Sequence, residues 1–229
     1  MITAPKIYKM RVAFTVDGPW DHQRIFAALR QAVLKSALPF EPAKVNKHWP
    51  RLAYGPALGY GQYSTAEYAD LYFSVPVRAE DALTALRAAA PQGVQFLRAV
   101  RVPYALPSVS QLAQVCLYAV RVNFEAYAPP AAEAFFSGKH IYITSVAPNG
   151  MKMQQDLRPF VVSAERPEKD VLKLLLQQVA DKSTKPEWLV AAWLGLEIAP
   201  QEQFTLPDFK FTREALYWRD AAAELHPLL

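Results

Sequence analysis

Apolar and polar positions alternate along residues 6–16, KIYKMRVAFTV, and this period of two predicts a strand. Asp17, Gly18 and Pro19 break it. From residue 21 to 37 the step changes: Ile25, Phe26, Leu29, Val33 and Leu34 share one face of a helix, with Asp17 or Asp21 as N-cap and Pro39 as its stop. Two strands, residues 51–58 and 66–77, flank a turn punctuated by Gly55, Pro56, Gly59 and Gly61. An alanine-rich helix over 80–90 ends at Pro91 and Gly93, and a fourth strand covers 95–102. The order β-α-β-β-α-β in roughly a hundred residues is the split-βαβ, ferredoxin-like pattern.

A connector holding Pro103 and Pro107 follows, and the rhythm restarts beyond it. A strand over 115–124 and a short helix over 129–136 with proline at its start come first. Strands 139–147 and 152–164 form a hairpin around Pro148-Asn149-Gly150. An amphipathic helix over 168–181 carries Val171, Leu174, Leu175 and Val179 on one face. A helical turn or two over 186–194 and a last strand over 209–218, returning to the second sheet, complete the pattern. The expected fold class is α+β: two tandem ferredoxin-like (split βαβ) α/β sandwich units, residues 1–104 and 111–229.

Composition sharpens this picture. With 52% hydrophobic and 20% charged residues in 229, the chain has the makings of a folded core and not of a disordered segment. The longest apolar run, residues 188–196, is broken at Gly195 and is too short to cross a bilayer. The start, MITAPKIYKM, has no apolar signal region, so cytoplasmic residence is expected. A single cysteine, Cys116, excludes a disulfide framework and an iron–sulfur cluster held by this chain alone. Its setting, VCLYAV, predicts plain core. Four scattered histidines show no metal-ligand spacing, and neither metal nor cofactor is expected.

The net charge of +4 is unevenly spread. Residues 1–60 hold nine Lys/Arg against three Asp/Glu, 61–110 hold four against four, and 111–229 hold twelve against fourteen. The positive field therefore falls near the loop that opens residues 46–75, where Lys44, Lys47, His48, Trp49 and Arg51 meet Tyr54, Tyr60 and Tyr63. Such a surface suits phosphates with stacked bases, or an acidic protein face. His22 and His48 are a candidate acid–base pair. Asp156 and Arg158, two apart on a strand, share a face on which Arg158 can hold a phosphate or carboxylate while Asp156 steadies it. No Gly-Lys-Ser/Thr phosphate loop, nucleophile elbow or Ser-His-Asp order stands out.

Several segments, in order and spacing, resemble the radical-SAM-linked family of unknown function found beside or fused to cobalamin-binding radical SAM proteins. They are ALRQAVLKSALP (28–39), PRLAYGPALGYG (50–61), AEYADLY (66–72), DLRPFV (156–161) and TREALY (212–217). The family's helix opens with Ser-His-Leu-Asp; here His22 is kept, with Asp21, Gln23 and Arg24 around it. Its loop motif Ser-Gln/Glu-Gly-Phe-Asn-Pro is reduced to Asn46 within Pro42-Ala43-Lys44-Val45-Asn46-Lys47. The resemblance implies a radical SAM enzyme as partner, with this chain a non-catalytic accessory or substrate-presenting protein. The alternative is an RNA-binding or RNA-modifying protein, with transfer RNA as the natural probe. The candidate binding set is His22, Arg24, Lys44, Asn46, Lys47, His48, Trp49, Arg51, Tyr54, Asp156 and Arg158, with no catalytic residue assigned and no membrane partner expected.

Overall fold

The computed structural model describes residues 7–18, 20–147, 149–180, 182–198, 206 and 208–229. Lys6, Pro19, Pro148 and Asp181, which the sequence assigns to a strand, two turns and a helix end, lie outside them. The chain is mixed α+β, with mostly antiparallel strands and few helices. It divides into two compact units, residues 1–113 with 216–229, and residues 114–215.

The first unit runs β1 (Tyr8–Val16), α1 (His22–Lys35), β2 (Leu52–Tyr54), β3 (Tyr63–Phe73), α2 (Ala79–Ala88), β4 (Val94–Val102) and α3 (Val109–Leu112). Its strands lie in the order β4-β1-β3-β2, each pair antiparallel. One face of β1 places Met10, Val12, Phe14 and Val16 in a core shared with Ile25, Leu29, Ala32 and Val33 of α1 and Ala82 and Leu86 of α2. Ile25, Leu29 and Val33 are positions of the α1 stripe the periodicity predicts, because a helix buries the face that recurs every three or four residues; Ala32 joins them, while Phe26 and Leu34 are only half-buried. Asp21 caps α1, accepting from the backbone N–H of Arg24 at 2.7 Å. Gly93 ties β1 to β4: its φ is +84°, and a Cβ there would meet the Asp17 carbonyl at 2.6 Å. The other face of β1 departs from simple alternation. Lys9 and Arg11, which a half-solvated strand would expose, are each only 2% exposed.

The second unit runs β5 (Val115–Arg121), a 3₁₀ turn (Phe124–Tyr127), α4 (Ala132–Phe136), β6 (Tyr142–Val146), β7 (Lys152–Asp156), a second 3₁₀ turn (Arg158–Phe160), β8 (Val161–Glu168), β9 (Val171–Gln177), α5 (Pro186–Trp193) and the start of β10 (Lys210–Arg219). Strand β10 crosses the division at residue 216, and β11 (Leu225–Pro227) pairs with its end in the first unit, Trp218 opposite His226. Two expectations fail here. The helix expected over 168–181 is β9, a strand flanked by β5 and β8. VLKLLLQ satisfies both periods, and pairing on both edges decides for the strand. The strand expected over 152–164 is interrupted at Arg158–Phe160, where Pro159 ends the ladder and lets β8 start anew. The Asn149-Gly150 hairpin forms as expected, joining β6 to β7. Around α5 the core is aromatic: Trp193 packs 5.1 Å from Phe124 and 5.9 Å from Phe136. Among the described residues, no helix is long and apolar enough to cross a membrane.

Candidate functional site

The loop before β2 is stiffened by its own backbone. Asn46 accepts from the His48 N–H through its side chain at 2.9 Å, a turn in which asparagine mimics backbone. Its carbonyl accepts from the Trp49 N–H at 3.1 Å, Ala43 N–H donates to the Trp49 carbonyl at 2.8 Å, and Pro42 bridges Pro50. The fold thus spends Asn46 on shape. What the loop offers outward is Lys44, Val45, Lys47 and His48, all exposed, with Val45 at 90%. Trp49 is partly covered: the Arg30 guanidinium lies 3.9 Å from its ring centroid. Arg24, on the solvent side of α1, stacks on Trp20 at 5.0 Å.

His22 and His48 part company. His48 is exposed in the loop, whereas His22 opens α1 and stacks on the Tyr54 ring at 4.8 Å and 12°. Tyr54 is itself buried and donates its hydroxyl to the buried Glu67 carboxylate at 2.7 Å. This His22–Tyr54–Glu67 column joins helix to sheet. Arg51 points elsewhere again, over the Tyr72 ring at 4.2 Å, with an Nη2 donating to the Tyr104 hydroxyl at 3.3 Å. Burial first, then the Asp70 carboxylate, push the Tyr72 phenol above its ordinary value, so that ring stays neutral beside Arg51.

In the second unit Asp156 and Arg158 do not share a strand face. Asp156 ends β7, and its carboxylate accepts from the backbone N–H groups of Ile141 at 3.0 Å and Arg158 at 2.9 Å, with His140 Nδ1 at 2.7 Å. Burial alone would raise its pKa, but the hydrogen bonds from His140, Ile141 and Arg158 prevail and hold it below the ordinary carboxylate value. The Arg158 guanidinium is turned to the carbonyls of Gly138 at 3.1 Å and Val161 at 2.7 Å. Asp156 thus pins the end of β7 to residues 140–141 and to the Arg158 backbone, while Arg158 ties Gly138 to the first residue of β8.

Sequence reasoning passed over a buried charge cluster in the first unit. Arg11 and Asp70 face each other across β1 and β3 and pair twice, Nε to Oδ1 at 2.8 Å and Nη2 to Oδ2 at 3.1 Å. Lys9 Nζ lies 3.4 Å from the same carboxylate, and the Val109 N–H donates to it at 2.9 Å. Lys9 also donates to the Leu106 and Pro107 carbonyls, and Arg11 to those of Pro107 and Leu228. The available signal was Asp70 itself, a charge inside the apolar run EYADLYF opposite two cations one period apart.

Asp220, Glu224 and His226 also gather, at the β10–β11 turn. Asp220 there accepts from the Ala222 and Glu224 N–H groups and lies 2.9 Å from His226 Nε2, which makes it the clasp of that turn.

The sequence pattern of a family described as "Uncharacterized protein conserved in bacteria (DUF2344)" matches residues 9–186. No curated protein matches the chain.

Proposed function

The chain belongs to this conserved bacterial family of uncharacterized proteins, and we propose that it is a non-catalytic accessory protein that docks on an enzyme through the 42–50 loop of its first unit. The observation that carries this reading is a loop pinned at its base by four backbone-directed contacts, yet holding Lys44, Val45, Lys47 and His48 out to solvent. A segment already fixed in its bound shape loses little conformational freedom on association, so its few contacts convert efficiently into affinity. The fringe of lysines selects an acidic partner face and speeds encounter.

The resemblance to radical-SAM-linked proteins supplies the partner class, a cobalamin-binding radical SAM enzyme. The sole cysteine, Cys116, is buried in β5, which fits a division of labour in which the iron–sulfur chemistry belongs to the partner. The first unit's β4-β1-β3-β2 order supports reading it as a split-βαβ unit. The RNA-binding alternative has weaker support, because rings that would stack on bases are engaged: Trp49 under Arg30, and Tyr54 under His22.

Anaerobic co-purification of the full chain with such an enzyme tests the proposal. The native chain is expected to be retained, and the Lys44→Glu, Val45→Asp, Lys47→Glu variant to lose at least about tenfold in affinity. Equal retention of both, or capture of neither, rejects it. A salt-dependent shift of transfer RNA by the native chain, lost in the same variant, would replace it with the RNA reading.

A further inference from the structure

We propose that a cavity of about 540 Å³ in the first unit, beside Arg51, is a binding site for a phosphate monoester. This goes beyond the docking reading and does not depend on it. It is lined by Lys9, Arg51, Tyr72, Tyr104 and residues of the 105–108 and 110–111 segments.

Lys9 and Arg11 are buried and share a single carboxylate, Asp70, so among the described residues one of these two positive charges has no carboxylate of its own. Buried charge without a counter-charge is costly, and an anion at the cavity mouth offsets it. Arg51 adds a second positive charge at the wall. Together they match a dianion, the form of a phosphate monoester near neutral pH.

The polar groups agree in kind. The carbonyls that would repel an anion, Leu106 and Pro107, are turned onto Lys9 and Arg11. Asp70 is fully occupied by Arg11, Lys9 and the Val109 N–H. The Arg51 guanidinium, by contrast, donates only to Tyr104 among the described residues, leaving most of its planar fork of donors for a ligand. The rings of Tyr72 and Tyr104 clamp its guanidinium at 4.2 and 5.6 Å from their centroids, which fixes the fork's direction before anything binds. The hydroxyls of Tyr104 and Ser110 complete the lining. A carboxylate ligand would meet one excess positive charge too many, and a phosphate would meet none.

Calorimetric titration of the full chain, at constant ionic strength, with inorganic phosphate, phenyl phosphate and acetate tests this. Saturable single-site binding of both phosphates is expected, with acetate weaker by about tenfold or more. Arg51→Gln is expected to weaken phosphate binding by about tenfold or more with an unchanged thermal midpoint, and Tyr104→Phe, on a half-exposed ring, by about threefold. The Lys44→Glu, Val45→Asp, Lys47→Glu variant should bind phosphate as the native chain does, which separates this site from the docking loop. Absence of saturable phosphate binding, acetate binding as tight as phosphate, or phosphate affinity unmoved by both Arg51→Gln and Tyr104→Phe overturns the proposal.

Discussion

Asp70 in the first unit and Asp156 in the second do the same mechanical job in different surroundings. Each sits on a strand and accepts from the backbone of a distant segment, Val109 for Asp70 and Ile141 for Asp156. Asp70 has no exposed side-chain surface and is held by Lys9 and Arg11. Asp156 keeps 29% of its side-chain surface in solvent and is held by His140. What a carboxylate is worth depends less on how many groups it binds than on whether water can take their place when it is gone.

That contrast can be broken most sharply at Asp70. Asp70→Asn leaves two buried cations without their counter-charge, and urea unfolding should show a loss of about 3–5 kcal/mol. A loss under about 1 kcal/mol would mean that the carbonyls of Leu106, Pro107 and Leu228 carry the cations alone. Tyr54→Phe comes next: removing a hydroxyl that meets the buried Glu67 carboxylate should cost about 1.5–3 kcal/mol.

Asp156→Asn is milder, about 1 kcal/mol or less at neutral pH, because solvent reaches the carboxylate and replaces part of what is lost. Its pH dependence carries a sign. The pKa of folded Asp156 is depressed, so its contribution is present above the ordinary carboxylate value and is lost as the pH falls through the folded value. The native-minus-variant difference in unfolding free energy should therefore shrink in acid; a difference growing in acid would contradict the assigned hydrogen bonds. Smallest is Trp49→Ala, which removes the Arg30 stack at the surface and should cost about 0.5–1 kcal/mol.

The comparison also shows where sequence reasoning carries and where it stops. The first unit was legible because its helices and strands keep distinct periods: Ile25, Leu29 and Val33 recur as a helix requires, and Met10, Val12 and Phe14 as a strand requires. In β9 the two periods coincide, since Val171, Leu174 and Leu175 fit a helix while Leu172, Leu174 and Leu176 fit a strand; only the neighbouring β5 and β8 decide. The candidate loop was legible as an exposed basic segment because Asn46, Pro42 and Pro50 mark turns in the sequence itself. The Lys9–Arg11–Asp70 cluster was not. A lysine and an arginine alternating with Met10 and Val12 look like the solvent side of a strand, and nothing local reveals that residues 106–109 and Leu228 fold over them. The spacing of Asp156 and Arg158 predicts partners through their side chains, whereas the carboxylate reaches the backbone N–H of Arg158 and the guanidinium turns away.

The docking reading rests on a loop whose tip is free to be covered. Amide hydrogen exchange of the full chain, alone and with a cobalamin-binding radical SAM enzyme under anaerobic conditions, measures this directly. Slowed exchange at residues 44–47, with the 142–156 hairpin unchanged, is the predicted result. Exchange at 44–47 that stays at its free rate while the two proteins are bound would contradict it.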